Sequence, residues 1–186
     1  MPENQILSNE LIYQGHTFAV RKARLRLPDG RERDYDLVDH DPAVTILAVG
    51  EAGEVYFVSQ YRLGAQGVLL ELPAGIINAG ELPDTAARRE LREETGQDCH
   101  ELLPLGNFYM AAGYSSEYMH IYLATGLHPS PLQQDEDEFL TLSTLGLDEV
   151  YRKALASEIP DGKTLSALLL ALPTLRQRFP QLLQSV

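Results

Sequence analysis

The sequence predicts a mixed α/β domain. Strand-like runs lie on both sides of a single, well-marked internal helix. The length, 186 residues, suits one domain with a short added element, and the 44% hydrophobic fraction can fill a sizeable core. The chain ends in two more helical segments.

The elements follow in order. Residues 17–27 and 31–39 are β-prone, and Asp29-Gly30 between them is a hairpin signal. Ala43 to Val49 and Val55 to Gln60 form a second apolar pair around Glu51-Ala52-Gly53. Val68 to Leu72 is a short strand ending at Pro73, and a Gly/Ala-rich loop is expected from Ala74 to Gly80. Pro83 to Thr95 reads as a helix, with proline in its first turn and Gly96 at its end. Strands return near Leu103–Met110 and Tyr118–Ala124, an acidic loop covers Gln133 to Glu138, and Leu140–Leu142 reads as a last strand. Helices are expected over 148–158 and 164–172.

Charge narrows the function. Twenty-seven acids against 15 bases give a net charge of -12. Such a surface repels nucleic acid and anionic membrane, so neither is an expected partner. A small anionic substrate would need a few arginines or a bound cation. Cys99 is the single cysteine, which fits a reducing compartment and reads as a small buried residue. Met1 to Asn9 lacks a signal pattern, and the apolar run Leu165–Leu172 is too short to span a bilayer. A cytoplasmic protein is expected. The five histidines are scattered without ligand spacing.

The internal helix carries the chemistry. Glu90 and Glu94 fall ~40° apart on one helix face, with Ala86 and Ala87 beside them, so that face turns inward. Arg88, Arg92 and Thr85 are expected to face solvent. The ordinary reading is a charged surface helix held by ion pairs. The pairing opposes it: Arg88/Arg92 and Glu90/Glu94 are like-charge pairs four residues apart, and only Arg89/Glu93 is favourable. Converging carboxylates beside alanines need a counter-charge, and hard oxygen donors suit Mg²⁺ or Mn²⁺. Gly75 and Gly80 let the preceding loop bend close to a ligand.

Gly75, five residues, Glu81, seven residues, then Arg89-Glu90-Leu91-Arg92-Glu93-Glu94-Thr95-Gly96 resembles the Nudix box. Gln97 departs from it, since an aliphatic residue is usual there. The resemblance implies an α/β/α sandwich with a mixed sheet. It implies that Glu90 and Glu94, helped by Glu93 and the Ala74 carbonyl, hold the metal. Arg89 would orient the carboxylates, Glu81 would brace the loop, and Gly75 and Gly96 would shape the motif's ends. Looser similarity over residues 15 to 172 points to the ADP-ribose pyrophosphatase branch, through Gln60-Tyr61-Arg62, Glu71-Leu72-Pro73-Ala74-Gly75 and Gly113-Tyr114-Ser115-Ser116-Glu117. In that branch Arg62, Glu71 and Glu117 would serve the substrate. Residues 1–40 would form a dimerising antiparallel strand element, ahead of a hydrolase domain over 41–186.

The expected reaction is metal-dependent hydrolysis of a diphosphate linkage in a nucleotide sugar. Glu138 is the first choice for the general base and Glu136 the second; a solvated acidic loop is the plain alternative. Arg62 reads equally as a phosphate contact or as a surface arginine after a strand. Ala111-Ala112 replaces the Ser-Pro usual in the branch, which implies a freer loop and a broader substrate range. Other nucleotide sugars, dinucleotides and a silent ADP-ribose sensor remain alternatives.

Overall fold

The computed structural model describes residues 3–134 and 139–183. The chain divides into two compact units. The first takes in the described residues up to Pro42 together with Phe108–Met119, and the second takes in the rest.

The first unit is built on a three-stranded antiparallel sheet, β1 (Gln5–Gln14), β2 (Phe18–Arg26) and β3 (Glu32–His40), in that order. Gly30, at φ +83°, makes the β2–β3 turn that Asp29-Gly30 predicts. β1 has no counterpart in the expected elements. Its side chains are exposed on both faces and its register slips twice against β2, so no alternating pattern marks it. The segment 108–119 joins this unit by hydrogen bonds to β3. Val38 donates to the Tyr114 carbonyl, the Ser116 amide donates to Val38, and the His40 amide donates to the Ser116 hydroxyl.

The second unit is built around a seven-stranded sheet. Its main path runs β10 (Thr141–Gly146), β5 (Glu54–Arg62), β4 (Ala43–Val49), β9 (Tyr118–Pro129), β8 (Gln97–Tyr109). Two short strands lie off this path: β6 (Gly67–Glu71) pairs with β5, and β7 (Ala74–Ile76) pairs with β4. β4 is the centre, with all seven residues buried. Burial on both faces explains why it reads as an unbroken apolar run rather than an alternation. Val44, Ile46 and Ala48 pack with Ala86, Ala87 and Leu91 of α1 (Pro83–Thr95). By strand alternation Leu47 and Val49 face the other way, which leaves that face for α3 (Gly162–Arg178), also packed on β4. Helices on both faces of one sheet make the α/β/α arrangement. α2 (Leu147–Leu155) follows β10 directly, and a 3₁₀ turn covers Pro180–Leu182.

Several boundaries differ from the sequence pattern: β8 starts at Gln97 rather than near Leu103, β9 runs on to Pro129 rather than Ala124, and β10 covers Thr141–Gly146 rather than Leu140–Leu142. The expected loop after Pro73 contains β7, whose three residues are too few to show a period. The helix expected to stop at Leu172 continues through Pro173 to Arg178. Proline there removes one intrahelical bond, and the buried Ala171 and Leu175 on either side hold the helix against the sheet. α2 ends at Leu155 rather than 158, and Ser157 takes φ +60°. Among the described residues no helix is long and apolar enough to cross a membrane.

Candidate functional site

α1 forms where its local signals place it. Pro83 starts the helix, Asp84 puts an acid in the first turn, and Gly96 closes it at φ +71° with its amide on the Arg92 carbonyl. The inward face carries Ala86, Ala87, Glu90, Leu91 and Glu94. Alanines there let α1 approach β4 and β7 closely, which brings both carboxylates down onto consecutive residues of β7. Glu94 Oε2 accepts the Ala74 amide at 3.1 Å. The Glu90 carboxylate fills the space beside Gly75, where a built Cβ would collide with it. A side chain at residue 75 would therefore displace the Glu90 carboxylate from its present position.

Arg89 organises the acids around it. It donates to Glu81 (3.0 Å to each oxygen), Glu90 (2.6 Å), Glu93 (2.9 Å) and the Ile76 carbonyl (2.9 Å). Glu81 also accepts the Asn78 amide at 3.0 Å and returns its own amide to the Asn78 carbonyl, closing the loop before the helix. The Arg89 hydrogen bonds hold the Glu81 carboxyl below its usual range. The same Glu81 contact, with Glu90 and Glu93 adding to it, raises Arg89 further above its already high value.

Arg88 and Arg92 are part-exposed on the outer side of α1, and each also reaches a partner beyond the helix. Arg88 donates to Asp98 and the Cys99 carbonyl, both at 2.7 Å, and Arg92 donates to the Ser130 carbonyl at 2.9 Å. Each like-charge arginine thus has a tertiary partner that helix spacing alone cannot show. Cys99 is buried, and burial pushes its thiol up, as suits a packed residue.

Arg62 ends β5 and reaches back to Glu71 on β6. Its Nε and Nη2 both bond the Glu71 carboxylate, the shortest contact being 2.6 Å. The Arg62 side chain is 40% exposed while that of Glu71 is 1% exposed. Burial pushes Glu71 up, but Arg62 and Lys163 outweigh it and leave its carboxyl below the usual range. Arg62 is raised, first by Glu71, with a smaller part from the Glu94 charge. Glu71, expected at the substrate, has both oxygens hydrogen-bonded within the protein, to Arg62 and Lys163.

The sequence pattern missed three residues here. Lys163 Nζ bonds Glu71 at 2.6 Å and Asp161 at 2.9 Å. Asp161 caps α3 by accepting the Thr164 amide and hydroxyl, and the Thr164 hydroxyl oxygen accepts the Leu72 amide at 3.0 Å. Asp161 two residues before Lys163 is a readable cap signal. A buried lysine is not readable, because most lysines are exposed.

Glu117 lies in the first unit, where its amide donates to the Ser115 hydroxyl and its carbonyl accepts the Met110 amide. The Ala111-Ala112 segment opens a hydrogen-bonded turn. The Ala111 carbonyl accepts the Tyr114 and Ser115 amides, and Tyr114 and Ser116 tie the segment to β3. Glu138 and Glu136, the two base candidates, lie outside the described residues.

Two buried carboxylates beside one backbone strand, with a third on the same helix turn, form an oxygen-donor set that fits a hard divalent cation. It is not a closed cage: among the described residues no three acidic, histidine or cysteine side chains already form one, and Mg²⁺ characteristically keeps waters and takes one or two carboxylates. This acid cluster lies on a loop–helix packed on the central sheet of an α/β/α sandwich, the arrangement of a hydrolase family. The chain belongs to the NUDIX domain family, whose model matches residues 39–168. It is 33% identical over 168 residues to the methanol dehydrogenase activator of Bacillus methanolicus, covering 89% of this chain and 91% of that one. It is 32% identical over 170 residues to the ADP-ribose pyrophosphatase of Bacillus subtilis, with the same coverage. A crystal structure of an ADP compounds hydrolase superposes with a TM-score of 0.84 at 27% identity, covering 95% of this chain and 96% of that one.

Proposed function

We propose that this chain hydrolyses the diphosphate linkage of ADP-ribose and related nucleoside diphosphate sugars, using Mg²⁺, with Mn²⁺ able to replace it. Water adds to one phosphorus and the bridging P–O bond breaks, so ADP-ribose gives AMP and ribose 5-phosphate. The observation that carries this reading is the set of three carboxylates on one helix beside Ala74 and Gly75: Glu90 and Glu93 tied by Arg89, and Glu94 held by the Ala74 amide. Glu90 and Glu94, with Glu93 and the Ala74 carbonyl, would hold the metal. The bound ion would offset phosphate charge and acidify a water. Arg62 would take a phosphate oxygen on the part of its guanidinium that Glu71 leaves open. The names of the relatives support the substrate class.

Glu138 is our choice for the group that removes the water's proton, with Glu136 second and Glu117 third. Glu138→Gln is expected to lower kcat by ~10²–10⁴-fold with little change in KM, since a base acts on the transition state. Single-mutant kinetics decide the assignment. A crippled Glu136→Gln beside an active Glu138→Gln moves the role to Glu136, and two active variants move it to Glu117.

The activity itself is tested by metal-dependent release of phosphomonoester from ADP-ribose, ADP-glucose, GDP-mannose, NADH and diadenosine triphosphate. ADP-ribose is expected to be cleaved, with the others slower by ~10–200-fold, the discrimination that small pocket differences give. A preference beyond ~10³-fold would end the broad-range reading and leave hydrolysis intact. No turnover of any compound would end both.

The exposed Ile6, Leu11, Ile12, Tyr13, Phe18 and Tyr35 of the first unit support a homodimer formed through these strands. Light scattering showing a monomer at micromolar concentration would remove that element. A cytoplasmic setting agrees with a lone buried thiol.

A further inference from the structure

The charged network behind Arg62 has a feature that phosphate binding alone does not require. Arg62 and Glu71 already form a complete pair across β5 and β6, with two guanidinium nitrogens on one carboxylate. A second cation, Lys163, nevertheless shares Glu71 Oε2 from the first turn of α3 and is itself 8% exposed. Burying an ammonium is costly unless it is paired and hydrogen-bonded. Lys163 meets that condition through Glu71 and Asp161, and Asp161 is fixed as the α3 cap. The chain of contacts therefore runs from the α3 cap through Lys163 and Glu71 to Arg62, across 92 residues of sequence at the Lys163–Glu71 link.

We propose that Lys163 is a positioning residue for diphosphate binding: it locks the Glu71 carboxylate in place so that Arg62 presents its unused guanidinium edge to the substrate. The proposal rests on Arg62 being the phosphate contact of the proposed hydrolase. The guanidinium has five N–H donors. Nε and Nη2 are directed at Glu71, which leaves the Nη1 side outward on a side chain that is 40% exposed. That edge points usefully only while Glu71 holds its present orientation. Arg62 alone cannot impose it, because Arg62 is the flexible, part-exposed partner. Lys163 can, because its own position is set by a capped helix packed on β4. Lys163 is thus outside the reacting groups, and its influence passes through Arg62.

The test is a double-mutant cycle in the full-length protein, with Lys163→Met, Arg62→Ala and the double variant. Affinity is read by calorimetry with the α,β-methylene analogue of ADP-ribose in Mg²⁺, whose carbon bridge resists hydrolysis. Turnover of ADP-ribose is measured in parallel. Lys163→Met is expected to raise Kd and KM by about tenfold, to leave kcat within about threefold, and to add nothing further once Arg62 is alanine. An equal rise in both Arg62 backgrounds, no rise at all, or a fall in kcat with unchanged KM would overturn the proposal. If Lys163→Met does not fold, Lys163→Leu, which likewise cannot donate to Glu71, carries the same cycle. Wild-type binding of the analogue without hydrolysis of ADP-ribose would remove the hydrolase reading while the cycle still decides Lys163. Wild-type hydrolysis with a null cycle would remove the Lys163 role alone.

Discussion

Glu94→Gln is expected to fold like the wild type and to lose at least ~100-fold in kcat/KM, the scale on which metal-site changes act. Glu94 is 2% exposed on the inward face of α1, and its Oε2 accepts the Ala74 amide. Glutamine keeps the shape and an oxygen that can accept the same bond, so the loop–helix contact survives. It loses the charge that would bind the cation, and it relieves repulsion with Glu90 one turn away. The Tm without metal should therefore hold or rise slightly. The Mg²⁺-induced rise in Tm should shrink, since ligand stabilisation follows RT ln(1 + [L]/Kd). Calorimetric scans with and without Mg²⁺, beside turnover, read both effects. Wild-type hydrolysis by a folded Glu94→Gln protein would sink the metal-site assignment.

Arg89→Ala should be the most destabilising change in the motif. It removes all the hydrogen bonds from Arg89 and leaves Glu81, Glu90 and Glu93 facing one another. Removing one partner from a fully buried ion pair costs ~3–5 kcal/mol. This cluster is partly open to solvent, so about 2–4 kcal/mol is expected after screening. At ~2–4 °C per kcal/mol for a chain this long, the Tm should fall by roughly 5–15 °C. Mg²⁺ should restore part of that fall, because it supplies positive charge to the same carboxylates. A metal-independent fall would argue against shared carboxylates. The pH dependence follows from Glu81, whose folded pKa is depressed below its ordinary 4.5 by Arg89. A depressed carboxylate contributes stability above its unfolded pKa, and that contribution is lost as the pH falls through the folded value. Wild-type stability should thus decline below about pH 4.5, and Arg89→Ala should decline less steeply there. Urea midpoints at a series of acidic pH values would measure the difference.

Local chemistry made much of this protein legible in advance. Pro83, Thr95 and Gly96 bounded α1 correctly because a helix start and a left-handed cap depend on neighbouring residues alone. Asp29-Gly30 marked its hairpin for the same reason. The spacing of Glu90 and Glu94 already placed both on the buried face, because helical geometry converts four residues into one turn. The family motif added the roles expected of these residues. Less was readable where the pattern had no period to follow. β1 is exposed on both faces, β7 is three residues long, and α3 passes through a proline because its packing on β4 outweighs one lost hydrogen bond.

Tertiary structure alone decided the partners of the charges. Arg88 and Arg92, expected to face solvent, are part-exposed and also tied to Asp98 and the Ser130 carbonyl. Lys163, which no sequence signal singles out, is buried between Glu71 and Asp161. The 108–119 segment joined the N-terminal strands through Val38 and His40, far away in sequence. Helix faces and turns arise from interactions a few residues apart, which a linear pattern records. A buried charge is stable only beside its counter-charge, and which distant strand or helix supplies that counter-charge is settled when the sheet closes and the chain packs.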